Sequence, residues 1–333
     1  MDVGQYFNNV RNKRIIILGD AVVDKYISGT ATRISPDAPV PVLDVEQKNL
    51  YVGAIGLLAN YVLAFGGVAD ICTVVGQDFE GDFLLKEFHR RNFGLNGIFQ
   101  ADSFTPQVTR IKAKGQQVLR LEKRYELKSA TREDLNAKIE GFLTQSIKNA
   151  DLLVLLDYNS GVFTKNAPLT NNILAIAKRA GVKILARPDK NNYSLFTGVD
   201  VAKFNLNLAA NIVGINSVNE TSVRIIASKL MNELQCRGLY LSYVDAASYC
   251  LDGDRFEIIP KVLNHQVISY VGSGSAMMAT LALLIAAGAP YTVAAQVASV
   301  AGALSAIKTP VTYFSLQELQ EAFERGKVDE CRT

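Results

Sequence analysis

The sequence predicts an α/β fold: a mostly parallel sheet sandwiched by helices, with a small antiparallel β layer appended to it. Three observations carry this. Short runs rich in Ile, Leu and Val end at glycine or aspartate, as buried strands do where they leave a sheet at its carboxyl edge. Segments of helical period alternate with those runs along most of the chain, and such alternation builds parallel sheets covered on both faces. Two stretches break the alternation. Lys25–Val52, with "TRISPDAPVPVLDVEQ" at its centre, has no helical period, and Gln107–Tyr125 alternates apolar and basic residues around Gly115. Prolines and alternating valines confine the first to edge strands and turns, and the second reads as a half-exposed hairpin.

In chain order, "RIIILGD" (Arg14–Asp20) is a buried strand, Ala54–Phe65 a helix, "ADICTVVGQD" a strand and "EGDFLLKEFHRRNF" an amphipathic helix. "DLLVLLDY" is a strand, "NNILAIAKRAG" a helix stopped by Gly181, and "VKILARPD" a strand. "NETSVRIIASKLMNEL" is a helix, "GLYLSYV" and "ASYCLDG" are strands, and two long Ala-rich helices close the chain. No repeat, low-complexity linker or second domain boundary shows. The expectation is one domain over residues 1–333, with lid strands inserted at about 25–52 and 105–125.

Composition excludes several classes. Lys and Arg number 35 against 32 Asp and Glu, a net charge of +3, too balanced for a nucleic-acid binder. The "RNKR" run at Arg11–Arg14 is best read as a solvated approach to the first strand. Cys72, Cys236, Cys250 and Cys331 show no Cys-x-x-Cys spacing, and His89 and His265 lie far apart, so neither a metal site nor a catalytic triad is expected. The polar N-terminus lacks the apolar core of a signal peptide, and Ala276–Ala289 is too short to span a bilayer. A cytoplasmic protein without membrane contact is expected.

In open parallel sheets, ligands bind outside the carboxyl ends of the strands. Asp20, Asp24, Asp157 and the turn Gly272-Ser273-Gly274 are candidates for one such cleft, with the β layer as its lid. The glycine turn runs into an apolar helix, so its bare N–H groups and the helix dipole would cradle an anion.

"GDAVVDKYISGTATRISPDAPVPVLDVE" (Gly19–Glu46), "GQQVLRLEKRY", "LLDYNSGVF" and "AAQVASVAGALSAIKTPVTYFSLQEL" resemble the bacterial D-glycero-β-D-manno-heptose 7-phosphate kinases, the kinase half of the ADP-heptose synthesis enzymes. Those belong to the ribokinase-like, or phosphofructokinase-B, sugar kinases. The resemblance runs from about Val10 to Ala322. It implies a ribokinase-like sandwich, a lid that also pairs two subunits into a homodimer, and phosphorylation of a sugar phosphate with ATP and Mg²⁺. Carried onto this chain, it puts Asp20 and Asp24 on the sugar hydroxyls, with Gly53 opening the next binding segment. Arg33, Arg110, Lys112 and Arg120 of the lid become candidates for a sugar phosphate, since guanidinium forks match its oxygens. Asn205 and Asp157 fall on the nucleotide side.

The chain also departs from that pattern. The sugar-holding Asn of the family's Gly-Gly-Ala-Ala-Asn is Leu57 in "GAIGL". Asp-Pro-Lys becomes Arg187-Pro188-Asp189, and the acid of the Asn-x-x-Glu motif, tied to Mg²⁺ and phosphate, becomes Leu208. The turn near the nucleotide reads "SYVDAASY", and the catalytic base that ends Asp-x-Thr-Gly-Ala-Gly-Asp is Ser275. An unactivated hydroxyl cannot take the proton of a sugar hydroxyl, and loss of a general base costs roughly 10²–10⁴ in rate. Three readings follow: a degenerate kinase that binds without efficient transfer, a working kinase whose base has moved to Asp157 or Asp189, and a structural partner of an active kinase.

Overall fold

A computed structural model describes residues 3–124, 129–165, 168–244, 246–262, 267–308 and 312–330; Tyr125, Asp245, His265 and Cys331, named above, lie outside them. The strands are β1 (Arg14–Gly19), β2 (Val23–Ile34), β3 (Pro41–Val52), β4 (Val68–Gly76), β5 (Ile98–Ala101), β6 (Gln107–Ala113) and β7 (Gln116–Lys123). They continue as β8 (Leu152–Leu156), β9 (Ile184–Arg187), β10 (Val201–Asn205), β11 (Gly238–Ser242), β12 (Ser248–Asp252) and β13 (Arg255–Ile259).

The main sheet runs β13-β12-β11-β10-β9-β8-β1-β4-β5. It is parallel from β11 to β5, with β12 and β13 as an antiparallel edge. Strand β1 shows why its sequence is a continuous apolar run. Ile15 and Ile17 pack into one core while Ile16 and Leu18 pack into the other, because successive side chains leave a strand on opposite faces. Each such side chain stabilises the fold by about 1.5–3 kcal/mol on burial. Helix Ser273–Ala286 is apolar all round because it is enclosed: it packs on helices Ala54–Ala64 and Tyr291–Ala306, and nearly every residue in it is buried.

The second sheet, β3-β2-β6-β7, is the layer that the sequence reading expects as a lid. Strands β2 and β3 pair antiparallel, as do β6 and β7, and the two hairpins join through a parallel β2–β6 ladder running from Val23–Gln107 to Gly29–Ala113. That ladder fastens two segments distant in sequence into one layer.

The structure adds elements that apolar period did not mark: helices Gly4–Asn9, Ser129–Ser146 and Leu206–Val213 and strands β5, β10 and β13. The two Ala-rich helices, Ser273–Ala286 and Tyr291–Ala306, do not close the chain; Leu316–Glu330 follows as a third helix. Asp24 is also placed differently from expectation. It lies inside β2, one residue from its start, and not in a loop after a strand.

Candidate functional site

The glycine turn occupies the centre of the site. Gly272, at φ +100°, caps helix Ser273–Ala286 from the left-handed region, where a Cβ would also lie 3.2 Å from Ser305 Oγ. Ser273 N–H donates to Tyr270 O (3.3 Å), and the intrahelical ladder begins with Ala276 N–H to Gly272 O (2.9 Å). The intervening N–H groups of Gly274 and Ser275 find no acceptor within the helix and mark its positive end. Cavities open on either side of this turn. Gly274, Tyr158 and Tyr270 line both.

The larger cavity, about 420 Å³, lies between the lid and the turn. Asp24, Arg110, Arg120 and Ser275 line it, and Leu57 contributes an apolar wall where the resemblance puts an amide. Asp24 and Arg110 form an ion pair, with side chains only 11% and 13% exposed. The Arg110 guanidinium also stands 5.4 Å from the Tyr26 ring centroid. Gly53 is needed for this arrangement, because a Cβ there would meet Asp24 Oδ2 at 2.5 Å and Val22 O at 3.0 Å. The cavity's second carboxylate, Glu122, accepts from Arg124 (2.7 Å) and pairs with Arg120 at 2.6 Å. The Arg124 bond, then the Arg120 charge, hold it below the usual carboxylate range. Both carboxylates on the wall are therefore bound to guanidinium groups.

Other candidates stand outside this cavity. Arg33 pairs with Asp44 (3.1 Å) on the exposed β2–β3 hairpin. Lys112 lies over the Tyr26 ring at 5.2 Å. Asp20 is 1% exposed and sits beneath the floor, where its carboxylate accepts N–H bonds from Tyr158 (2.8 Å), Ser160 (3.1 Å) and Val162 (3.0 Å). It anchors the loop after β8. Asp157 is equally buried and accepts from Asn159 N–H (2.7 Å) and Asp189 N–H (3.2 Å). Burial, and then the Asp20 charge, push its carboxyl up to about 7. Burial raises Asp20 as well, against the opposing pull of its N–H donors.

The smaller cavity, about 320 Å³, lies at the carboxyl ends of β9, β10 and β11. Asn205 is on its wall and caps helix Leu206–Val213 by accepting from Asn207 N–H (3.0 Å). Arg187 stacks 4.1 Å over the Tyr158 ring and donates to Asp157 O (2.6 Å). Lys203 is 4% exposed, and burial, with the Arg187 charge second, depresses its ammonium to about 7. Among the described residues no carboxylate lines this cavity. Mg²⁺ takes hard oxygen ligands and is usually held by carboxylates. Among the described residues, two cationic side chains without an acid do not fit such an ion, and no group of three His, Cys, Asp or Glu that could hold a metal occurs.

Sequence reasoning missed Lys203, Tyr158 and Tyr270 as site residues, and noted Arg187 only as a departure from a motif. One signal was available for Lys203: a lysine inside "VAKFN", a strand-length run otherwise apolar up to its final residue.

The layered α/β fold thus places a small β sheet over a cavity and a glycine turn at a helix N-terminus. Residues 57–318 match the pfkB family carbohydrate kinases, and the chain belongs to that family. It is 31% identical to the bifunctional protein HldE of Nitratiruptor sp., over 94% of this chain and 65% of that protein. To the HldE of Syntrophotalea carbinolica it is 26% identical, over 96% of this chain and 65% of that protein. The chain thus spans about 65% of the length of these curated relatives. Among solved structures, Escherichia coli phosphofructokinase-2 in complex with fructose-6-phosphate superposes with a TM-score of 0.78 at 15% identity, covering 95% of this chain and 99% of that one. Arabidopsis thaliana ribokinase complexed with ribose and ATP gives 0.75 at 12% identity, covering 94% and 99%. At these identities the structures establish the fold. Among the described residues no helix is long and apolar enough to cross a membrane.

Proposed function

We propose that this chain binds a phosphosugar of the heptose 7-phosphate type beneath its lid and has lost phosphoryl transfer at the rate of a working kinase. One observation carries the reading. Ser275 stands where the cavity meets the helix N-terminus, and the described carboxylates on the cavity wall, Asp24 and Glu122, are both paired with arginines. Phosphoryl transfer to a hydroxyl needs a positioned group that accepts its proton, and an ion-paired carboxylate is a weak base. The relocated-base alternative gains little support, since neither Asp157 nor Asp189 lines the lid cavity. A polar cavity edged by arginines still suits a sugar phosphate.

The test uses heptose 7-phosphate in separate measurements. A ligand that binds only the native state raises its melting temperature, so a dose-dependent upward shift is expected. Coupled ADP release should fall at least about 10²-fold below the 1–100 s⁻¹ typical of kinases. Turnover within that range overturns the loss of transfer, and absence of any melting shift overturns the binding.

The lid also supports a homodimer. Val118, Leu119 and Leu121 on its edge strand β7 are 52%, 50% and 50% exposed, and Val45 on the opposite edge strand β3 is 48% exposed. Unpaired apolar edge strands favour association with a second chain. Sedimentation at micromolar concentration should give a dimer, and a monomer would remove this part of the reading.

A further inference from the structure

We propose that the cavity beneath β9–β11 is a metal-independent site for a di- or triphosphate anion, with Arg187 and Lys203 providing the positive charge that a divalent cation supplies elsewhere. Three observations point there. The wall holds a guanidinium and a buried ammonium with no described carboxylate to neutralise them. Lys203 makes no ion pair among the described residues, so burial drives it toward the neutral amine, and an anion in the cavity would hold it as the ammonium. The Ser273 hydroxyl, on a residue 3% exposed at the first turn of helix Ser273–Ala286, lines the same cavity and has no hydrogen-bond partner. An unsatisfied buried donor beside a helix N-terminus is a place for an oxygen ligand.

Arg187 is held in position. Its guanidinium stacks on Tyr158 at 4.1 Å, and its Nη1 is fixed on Asp157 O at 2.6 Å, which leaves other N–H donors for the cavity. Asn205 and Ser242 add neutral polar groups on the same wall. A phosphate chain complexed with Mg²⁺ has lost much of its negative charge, so this cavity should prefer the bare anion. The same cations repel Mg²⁺ itself.

This goes beyond phosphosugar binding under the lid and is tested apart from it. Inorganic pyrophosphate is titrated calorimetrically in excess EDTA and again in excess Mg²⁺. Binding is expected in EDTA, about tenfold or more weaker with Mg²⁺, and about tenfold or more weaker in EDTA for both Lys203→Met and Arg187→Gln. Arg187→Lys should retain more affinity than Arg187→Gln, which separates loss of charge from loss of packing. Thermal melting establishes that each variant is folded. A requirement for Mg²⁺, no binding by the folded wild-type protein, or wild-type affinity in both charge-removing variants would overturn the proposal. The heptose 7-phosphate melting shift is measured on the same samples: its retention in Lys203→Met alongside lost pyrophosphate binding separates the two sites, and loss of both together would overturn the assignment of pyrophosphate to a site of its own.

Discussion

The lid cavity and the cavity beneath β9–β11 share the Gly272 turn and the rings of Tyr158 and Tyr270, yet their charges are arranged in opposite ways. Under the lid each described carboxylate has its arginine: Asp24 with Arg110, and Glu122 with Arg120 and Arg124. Across the turn, Arg187 and Lys203 face a cavity with no described carboxylate. The wall under the lid sets Arg110, Arg120, Lys123 and Arg124 against Asp24 and Glu122, so its paired groups offer direction while a positive surplus remains, which suits a ligand with both hydroxyls and a phosphate. A wall of unpaired cations waits for an anion. The turn between them still offers helix N–H groups to a phosphate, while Ser275 offers no base. On the function proposed above, the parts which bind are kept in this chain and the part which reacts is not.

Breaking the first arrangement should have the largest effect. Arg110→Met leaves the Asp24 carboxylate buried and unpaired, and loss of one partner of a buried pair costs about 3–5 kcal/mol. Urea unfolding should show a drop of that size, with loss of the heptose 7-phosphate melting shift. The double variant Asp24→Asn with Arg110→Met should regain most of the stability and none of the sugar binding. A cost under about 1 kcal/mol for Arg110→Met would make the pair equivalent to a surface ion pair and remove one side of the comparison.

A second test sits beneath the floor that the cavities share. The Asp157 carboxyl is raised to about 7 in the folded protein, whereas an unfolded chain titrates it near 3.9. Between those values the native state keeps a proton that the unfolded state has released. Stability must therefore fall as pH rises from about 4 to about 7, and the penalty is complete above that window. Asp157→Asn should flatten this slope and gain on the order of 2 kcal/mol at pH 8, read from unfolding curves across the pH range. An unchanged slope in the variant would mean that Asp157 is ionised throughout, and that the negative charge under the floor is larger than inferred here.

Much of the fold was legible because a buried parallel strand has few ways to be written. Ile15 to Leu18 serve two cores at once, so their run is unbroken, and Gly181 at φ +70° stops its helix as its place in the sequence suggests. Helix Leu206–Val213 was not legible, because it starts directly from β10 with only Asn205 as cap and spans too few residues to show a period. The helix Leu316–Glu330 was hidden by its polar composition. For the site, position was readable and partnership was not. Asp20 follows a strand, as a ligand-binding carboxylate would, but the N–H groups of Tyr158, Ser160 and Val162 that bind it come from residues far along the chain. Lys203 was not read as a site residue, since nothing local shows that its side chain faces a cavity shared with Arg187.

The smallest expected effect comes from returning the missing reagent. Ser275→Asp sets a carboxylate at the helix N-terminus, where the dipole favours negative charge by about 0.3–1 kcal/mol. The new group would line the lid cavity, as Ser275 does, within reach of a bound hydroxyl. Even so, Arg187 and Lys203 still occupy the phosphate side, and Leu208 still supplies no acid to hold a metal. Residues that act as a unit do not contribute independently, so one restored member should recover little. We expect turnover of heptose 7-phosphate by Ser275→Asp to stay within about tenfold of background. Ser275→Asp with Leu208→Glu should exceed either single variant and remain well below the 1–100 s⁻¹ of a working kinase. Adding Arg187→Asp to that pair should help further only in Mg²⁺, because it removes a cation that opposes the metal. Full recovery by Ser275→Asp alone would show that the cationic cavity already accepts metal-bound nucleotide, and the contrast between the two cavities would then be one of charge without consequence for chemistry.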